Sequence, residues 1–208
     1  MFFVGRYVIP VSYLIFDSFT DSDNTLLNFH SGETSSTWAF GLNQNAADTA
    51  RIFSNVLVKE DSGLSNAAVY YTETTPNNDC YVQGKIKMLS SISANVALIG
   101  RLNPASDDYY WVRHNRDANQ WQLRKTVGSS ASTLNSGAAV YNDTMVANDE
   151  RIVRLEMNGT TIRVIIDGTE RINATDSTHS SGRAGIRFAG IASPTTGYSI
   201  DDFTVGNL

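Results

Sequence analysis

The sequence predicts an all-β fold, an antiparallel two-sheet sandwich preceded by an N-terminal arm, on three observations. Short runs rich in Val, Ile, Tyr and Thr recur at intervals of roughly 8 to 12 residues, with turn formers between them. No stretch carries apolar residues at the helical period over three turns. The third observation is the segment from Arg151 to Ile172, RIVRLEMNGTTIRVIIDGTERI, which reads as three antiparallel strands. Asn158-Gly159 and Asp167-Gly168 join them, because such pairs adopt positive φ at little cost and match the twist of a hairpin. A two-residue loop at Asn158-Gly159 sets Leu155 opposite Ile162 and Val153 opposite Val164. The other face then holds Arg154 against Arg163 and Glu156 against Thr161, solvated and polar. A plain two-residue turn at Asp167-Gly168 would throw Ile172 to the polar side, so a three-residue loop or a bulge is expected to restore it to the core.

A chain of 208 residues suits one β domain, assigned to 12–208, with residues 1–11 as the arm. Hydrophobic residues make up 41 %, enough for a sizeable core, so the 15 glycines and the many Ser, Thr and Asn residues mark turns rather than disorder. The net charge of −5 is spread without a block of either sign, which excludes a nucleic-acid partner. Cys80 is the sole cysteine and forms no internal disulfide, so the fold stands on burial.

The opening MFFVGRYVIPVSYLIF is the most apolar stretch of the chain. Arg6 inside it, Pro10, and the lack of a small-residue cleavage site before Asp17 argue against a secretory signal. It also falls short of the roughly 20 apolar residues of a membrane span. The expectation is that Tyr13 to Phe19 enters the sandwich. Phe2, Phe3, Val4, Tyr7, Val8 and Ile9 then form an arm that buries its side chains against a partner subunit.

Next, the polar segment Asp17 to Trp38 reads as an irregular excursion ending in a strand at Trp38. Strands are expected at Arg51 to Lys59, Asn66 to Thr72, Tyr81 to Ser90, Ala94 to Leu102, Tyr109 to His114 and Gln120 to Thr126. Gly84 marks a bulge or a close approach of backbones. After the meander come Gly185 to Ala189 and Tyr198 to Val205. Asp17-Ser18-Phe19-Thr20 and Asp202-Phe203-Thr204 echo each other, and the two terminal strands are expected side by side.

These residues carry a family resemblance. Asp17-Ser18-Phe19 with Trp38 downstream, Ile99-Gly100-Arg101 followed by Tyr109-Tyr110, the meander, Gly182-Arg183-Ala184-Gly185-Ile186 and the closing Ile200-Asp201-Asp202-Phe203-Thr204-Val205 together resemble the concanavalin A-like or laminin G-like jelly roll. The Asp-Ser-Phe start with its Asp-Ser-Asp-Asn-Thr loop also looks like versions of this domain in bacteriophage structural proteins. The resemblance implies two stacked antiparallel sheets, in a family that includes lectins, glucanases, adhesion modules and virion components.

Glucanases of this architecture need two carboxylates about 5 to 5.5 Å apart. No Glu-x-Asp-x-Glu cluster exists, and the six glutamates are scattered, with Glu156 facing solvent. The three histidines lack zinc-ligand spacing, and Cys80 reads as a partly buried inert thiol. Asp21 and Asp23 offer hard oxygens that suit calcium, although asparagine and aspartate caps explain the loop as a turn equally well. No other cofactor is implied. The candidate binding surface is YYWVRHNRDANQW, where exposed faces of Tyr109, Trp111 and Trp121 stack on a sugar while Arg113, Asn115 and Arg116 bond its hydroxyls. Alternation sets Tyr109, Trp111 and Arg113 on one face and Tyr110, Val112 and His114 on the other, so one set is expected in the core. The sequence therefore points to a noncatalytic virion structural protein, a capsid decoration or external fibre or tail module. It would sit in the virion as a homo-oligomer among other virion proteins. The alternative is an extracellular or cell-surface carbohydrate-binding module, and the third reading a glycan-degrading enzyme.

Overall fold

The computed structural model describes residues 13–41, 49–60, 68–90, 92, 94–135, 140–190 and 192–208. Among them the strands run β1 (Ile15–Asp17), β2 (Trp38–Phe40), β3 (Thr49–Phe53), β4 (Val56–Glu60), β5 (Ala68–Thr72), β6 (Cys80–Met88), β7 (Ala94–Asn103) and β8 (Asp108–Asn115). They continue as β9 (Gln120–Val127), β10 (Ser130–Thr133), β11 (Tyr141–Asn142), β12 (Glu150–Asn158), β13 (Thr161–Ile166), β14 (Thr169–Thr175), β15 (Arg183–Gly190) and β16 (Tyr198–Asn207). Helical structure among the described residues is confined to two short 3-10 turns, Leu27–Phe29 and Arg116–Ala118, and no helix there is long and apolar enough to cross a membrane. The assembly residues Phe2, Phe3, Val4, Tyr7, Val8 and Ile9 lie outside the described residues.

Two antiparallel sheets stack on one another. Sheet one runs β14-β13-β12-β6-β16-β4-β3 with β1 also on β16; sheet two runs β10-β9-β8-β7-β15-β5-β2 with β11 also on β9. Alternation decides which side chains meet. In β6 every second residue from Cys80 to Met88 is buried, and these face Leu98, Tyr110, Val112, Ile186 and their neighbours from sheet two in one continuous core. The two terminal strands do pair, Ile15 with Val205 and Asp17 with Phe203. Gly84 is a site of close approach, since a Cβ there would stand 2.7 Å from Ile200 Cδ1, and β16 bulges opposite it between Asp201 and Thr204.

The meander keeps its expected faces but shifts its register by two residues. Asn158 pairs with Thr161, so Gly159-Thr160 forms the loop, Leu155 lies opposite Val164 and Met157 opposite Ile162. A shift of two preserves the buried set, and its electrostatic reason lies on the other face. In the expected register Arg154 would oppose Arg163, whereas here Arg163 lies opposite Glu156 and donates to it at 2.6 Å. Glu156 also takes Arg154 at 2.9 Å and is buried beneath the two guanidiniums, rather than solvated as its outward position suggested. The second turn is two residues, Asp167-Gly168, both at positive φ, and a bulge between Val164 and Ile165 returns Ile172 to the core.

The expected single strand Arg51 to Lys59 is a hairpin. Ser54 and Asn55 both take positive φ and reverse the chain between β3 and β4. Serine is an uncommon residue in that region of φ, which is why the turn is not read from sequence.

The irregular excursion after β1 is tied down by one buried carboxylate. Asp17 Oδ2 accepts Trp38 Nε1 at 2.7 Å, and its Oδ1 accepts the Phe19 amide at 2.8 Å and lies 2.9 Å from His30 Nε2. The other ring nitrogen of His30 meets Asp21 Oδ2 at 3.1 Å. Burial alone would lower the His30 pKa, but the hydrogen bonds and charges of Asp17 and Asp21 outweigh it and hold the imidazole above its ordinary value. His114 and His179 are lowered, burial being the first cause in each.

Three outcomes follow from this geometry. A double-mutant cycle on Glu156 and Arg163 should return a favourable coupling of roughly 0.5 to 1 kcal/mol by denaturant unfolding, and zero coupling would contradict the observed register. In an NMR titration of the imidazole protons, His30 should titrate above, and His114 and His179 below, the unfolded value of about 6.5. The sign for stability follows: the His30 contribution is complete below about pH 6.5 and is withdrawn as pH rises through the folded value. His30→Gln should therefore lose more stability at pH 6 than at pH 8, and a larger loss at pH 8 would refute the ion-pair account.

Candidate functional site

Sheet two is buried on both sides at its centre, an unusual demand for an antiparallel sheet with one side open to solvent. In β7, every residue from Val96 to Leu102 is buried. The inner residues join the main core, while Val69, Ala97, Ile99, Leu102, Tyr109 and Trp111 form a second apolar cluster on the outer face, with Tyr71 packed against it. The register places these residues in rows across the strands. One row runs Arg124, Trp111, Ile99, Gly185 and Tyr71; the next runs Gln122, Arg113, Ala97, Arg187 and Val69. Ala97 and Gly185 contribute almost no side chain, so large polar groups from either side lean over the apolar floor.

Trp111 is that floor. Arg124, Arg187 and Arg113 stand around its indole with guanidinium carbons 4.9, 4.7 and 5.4 Å from the ring centroid, and its Nε1 donates to Thr126 Oγ1 at 3.1 Å. Burial, then the like charges of Arg124 and Arg187, push Arg113 down to about 10, so it remains charged at neutral pH. Arg124 and Arg187 are lowered as well, again with burial the first cause. Beside them a cavity of about 330 Å³ is lined by Asn95, Arg113, Asn115, Arg116 and Asp117 among others, a volume at the lower end of small-molecule sites.

Four of the expected binding residues, Tyr109, Trp111, Arg113 and Asn115, therefore share this outer face of β8, with Arg116 at its rim. Two corrections apply. Tyr109 and Trp111 are buried rather than offered as open stacking platforms, because the arginine layer and neighbouring side chains cover them. Trp121 lies on the opposite face of β9, wholly buried in the main core, where its Nε1 donates to Asp143 Oδ2 at 2.9 Å. Arg124, Arg187, Asn95 and Gln122 were missed. Alternation along β9 could have found Gln122 and Arg124, but Arg187 and Asn95 reach the site only through the pairing of β7 with β15.

In the acidic loop both aspartates accept from backbone amides, as the turn reading expects. Asp21 holds the Ser22 amide and His30, and Asp23 accepts the Ser54 amide at 2.7 Å, anchoring the β3-β4 turn. Among the described residues no three His, Cys, Asp or Glu side chains are grouped to hold a metal ion. Cys80 is buried, and burial pushes its thiol up to about 11, away from nucleophile chemistry.

No family model matches the chain, and no curated protein matches it by sequence. Solved structures do match. The carbohydrate binding module CBM66 from Bacillus subtilis superposes with TM-score 0.60 at 15 % identity, over 88 % of this chain and 94 % of that one. A Bacillus subtilis protein of unknown function with a galectin-like fold gives 0.62 at 12 %, over 93 % and 98 %. The Bacillus licheniformis β-glucanase gives 0.61 at 12 %, over 91 % and 100 %. At these identities the likeness is one of fold, and the chain is an antiparallel two-sheet sandwich like its jelly-roll neighbours.

Proposed function

We propose that this chain is a noncatalytic carbohydrate-binding module whose site is the outer face of sheet two. The observation that carries the reading is the face itself, where a buried aromatic floor lies under partly exposed amides and guanidiniums. The amides both donate and accept, and the guanidiniums donate, in the paired geometry that sugar hydroxyls require. Asn115 is the clearest case. It borders the 330 Å³ cavity, and its side-chain amide makes no hydrogen bond to another described residue, which leaves both its donor and acceptor for a ligand. The similarity to a carbohydrate binding module and to a galectin-like protein supports the same reading.

A glycan-degrading role fits the face less well. Hydrolysis of a glycosidic bond takes a carboxylic acid and a carboxylate on either side of it. Among the described residues, the outward positions of β5, β15, β7, β8 and β9 hold no Asp or Glu. The virion-assembly expectation rested on residues 1–11, which lie outside the described residues, and on the likeness of the Asp17-Ser18-Phe19 start and its loop to bacteriophage structural proteins; the binding reading stands independently of both.

Glycan-array screening followed by calorimetric titration tests the proposal. The purified chain should bind at least one class of glycan and release no reducing ends from it. Asn115→Ala and Asn95→Ala should each weaken binding about tenfold, the worth of one hydrogen bond of about 1.4 kcal/mol, with the melting temperature unchanged. Failure to bind any glycan, or undiminished binding by both variants, would overturn the assignment.

A further inference from the structure

Among the described residues, the three arginines around Trp111 are held by neutral groups, Tyr109 on Arg187 included. Arg113 donates through Nε and Nη2 to Gln122 Oε1 at 3.2 and 3.1 Å, Arg187 reaches Asn95 Oδ1 at 3.4 Å, and Arg124 Nη2 reaches the Ala131 carbonyl at 3.3 Å. Arg124 Nε is buried with no acceptor. Among the described residues no carboxylate lies within ion-pair distance of the three; the charge of Asp117 is felt at Arg113, but its carboxylate pairs with Arg116 at 3.6 Å.

Single arginines elsewhere can lack a carboxylate, as Arg183 over Tyr71 and Arg171 over Tyr141 do among the described residues, but the crowded pair Arg154 and Arg163 does not. Arg151 is paired with Asp143 at 2.8 Å, and Arg154 and Arg163 share Glu156. A structural role for the trio would call for the same treatment, because crowded like charges destabilise the folded state. The guanidinium carbons of the trio surround one indole and so stand within about 10 Å of each other, roughly a Debye length at 0.1 M salt, too close for salt to screen fully. In a chain whose net charge is −5, three unneutralised cations on one face are a local exception. Guanidiniums present paired donors that match sulfate and carboxylate oxygens.

We infer that the site takes an anionic glycan, whose sulfate or carboxylate group lodges among Arg113, Arg124 and Arg187 above the Trp111 indole. This rests on the carbohydrate-binding reading above and specifies its ligand. The anion supplies the missing counter-charge and an acceptor for Arg124 Nε, while Asn95 and Asn115 bond the neighbouring hydroxyls.

The test uses the full chain and three forms of one polysaccharide at fixed ionic strength: chondroitin sulfate, desulfated chondroitin, which keeps its carboxylates, and carboxyl-reduced desulfated chondroitin, which is neutral. The neutral form should bind at least tenfold more weakly than an anionic one. Binding of the sulfated form alone assigns a sulfate, and binding of both charged forms a carboxylate. Arg113→Gln and Arg124→Gln should each lose at least tenfold in affinity, whereas Arg171→Gln, an exposed position on β14 in sheet one that changes net charge equally, should lose little. Equal binding of the neutral form, or an equal loss in Arg171→Gln, overturns the anion inference and leaves the carbohydrate reading intact. If no form of chondroitin binds, thermal shift with inorganic sulfate against chloride decides the anion site, and the glycan array decides the carbohydrate reading. Sulfate should then raise the melting temperature of the unsubstituted chain more than that of Arg124→Gln, and equal shifts overturn the inference.

Discussion

The backbone of β15 passes so close to β5 at Gly185 that no other residue fits, and the outer face of sheet two is shaped by that contact. A Cβ at Gly185 would stand 2.2 Å from the Tyr70 carbonyl oxygen, a backbone atom that cannot swing aside. The glycine that satisfies this constraint also leaves an empty position between Ile99 and Tyr71, and Ala97 leaves another in the adjoining row. Trp111 and Tyr71 stand on either side of the Gly185 gap in their row, and Arg187 in the adjoining row reaches over the Trp111 indole.

Burying both faces of β7 contributes to stability and sets a problem at the same time. Every apolar residue removed from water there contributes about 1.5 to 3 kcal/mol for a full side chain, which favours closing the outer face completely. A closed apolar face could not bind a polar ligand. Cationic side chains resolve the conflict, since their stems and planar heads cover the Trp111 indole while their outward edges remain partly hydrated. The same residues that seal the second core are therefore the ones that meet solvent.

Much of this architecture is legible in the sequence, and the failures have identifiable causes. Alternation and turn pairs place the meander, β6 to β9 and the two closing strands, because burial on one side of each strand leaves a period of two that nothing else produces. Register is less legible: the choice between Asn158-Gly159 and Gly159-Thr160 as the loop does not alter which residues are buried, and it is decided by Glu156 lying opposite Arg163 in place of Arg154. The β3-β4 hairpin is hidden because Ser54-Asn55 lacks the glycine that usually signals such a turn. For the site, alternation along β8 brings Tyr109, Trp111, Arg113 and Asn115 to one face correctly, but it cannot report exposure. Trp111 is covered by Arg124 from β9 and by Arg187 from β15, and the arrival of Arg187 depends on a pairing between segments dozens of residues apart.

Trp121 shows the limit of reading aromatics as platforms. It lies ten residues from Trp111, in the next strand of the same sheet, yet it points inward because its position in the alternation is opposite, and its Nε1 is satisfied by Asp143, which also holds Arg151. Asp143 thereby ties β9 to β12 in the facing sheet through Trp121 and Arg151. The burial of Trp121 is thus what fixes the far side of the sheet whose outer side carries Trp111. One indole holds the two sheets together and the other supports the charged layer, and the parity of their positions along β8 and β9 assigns the roles.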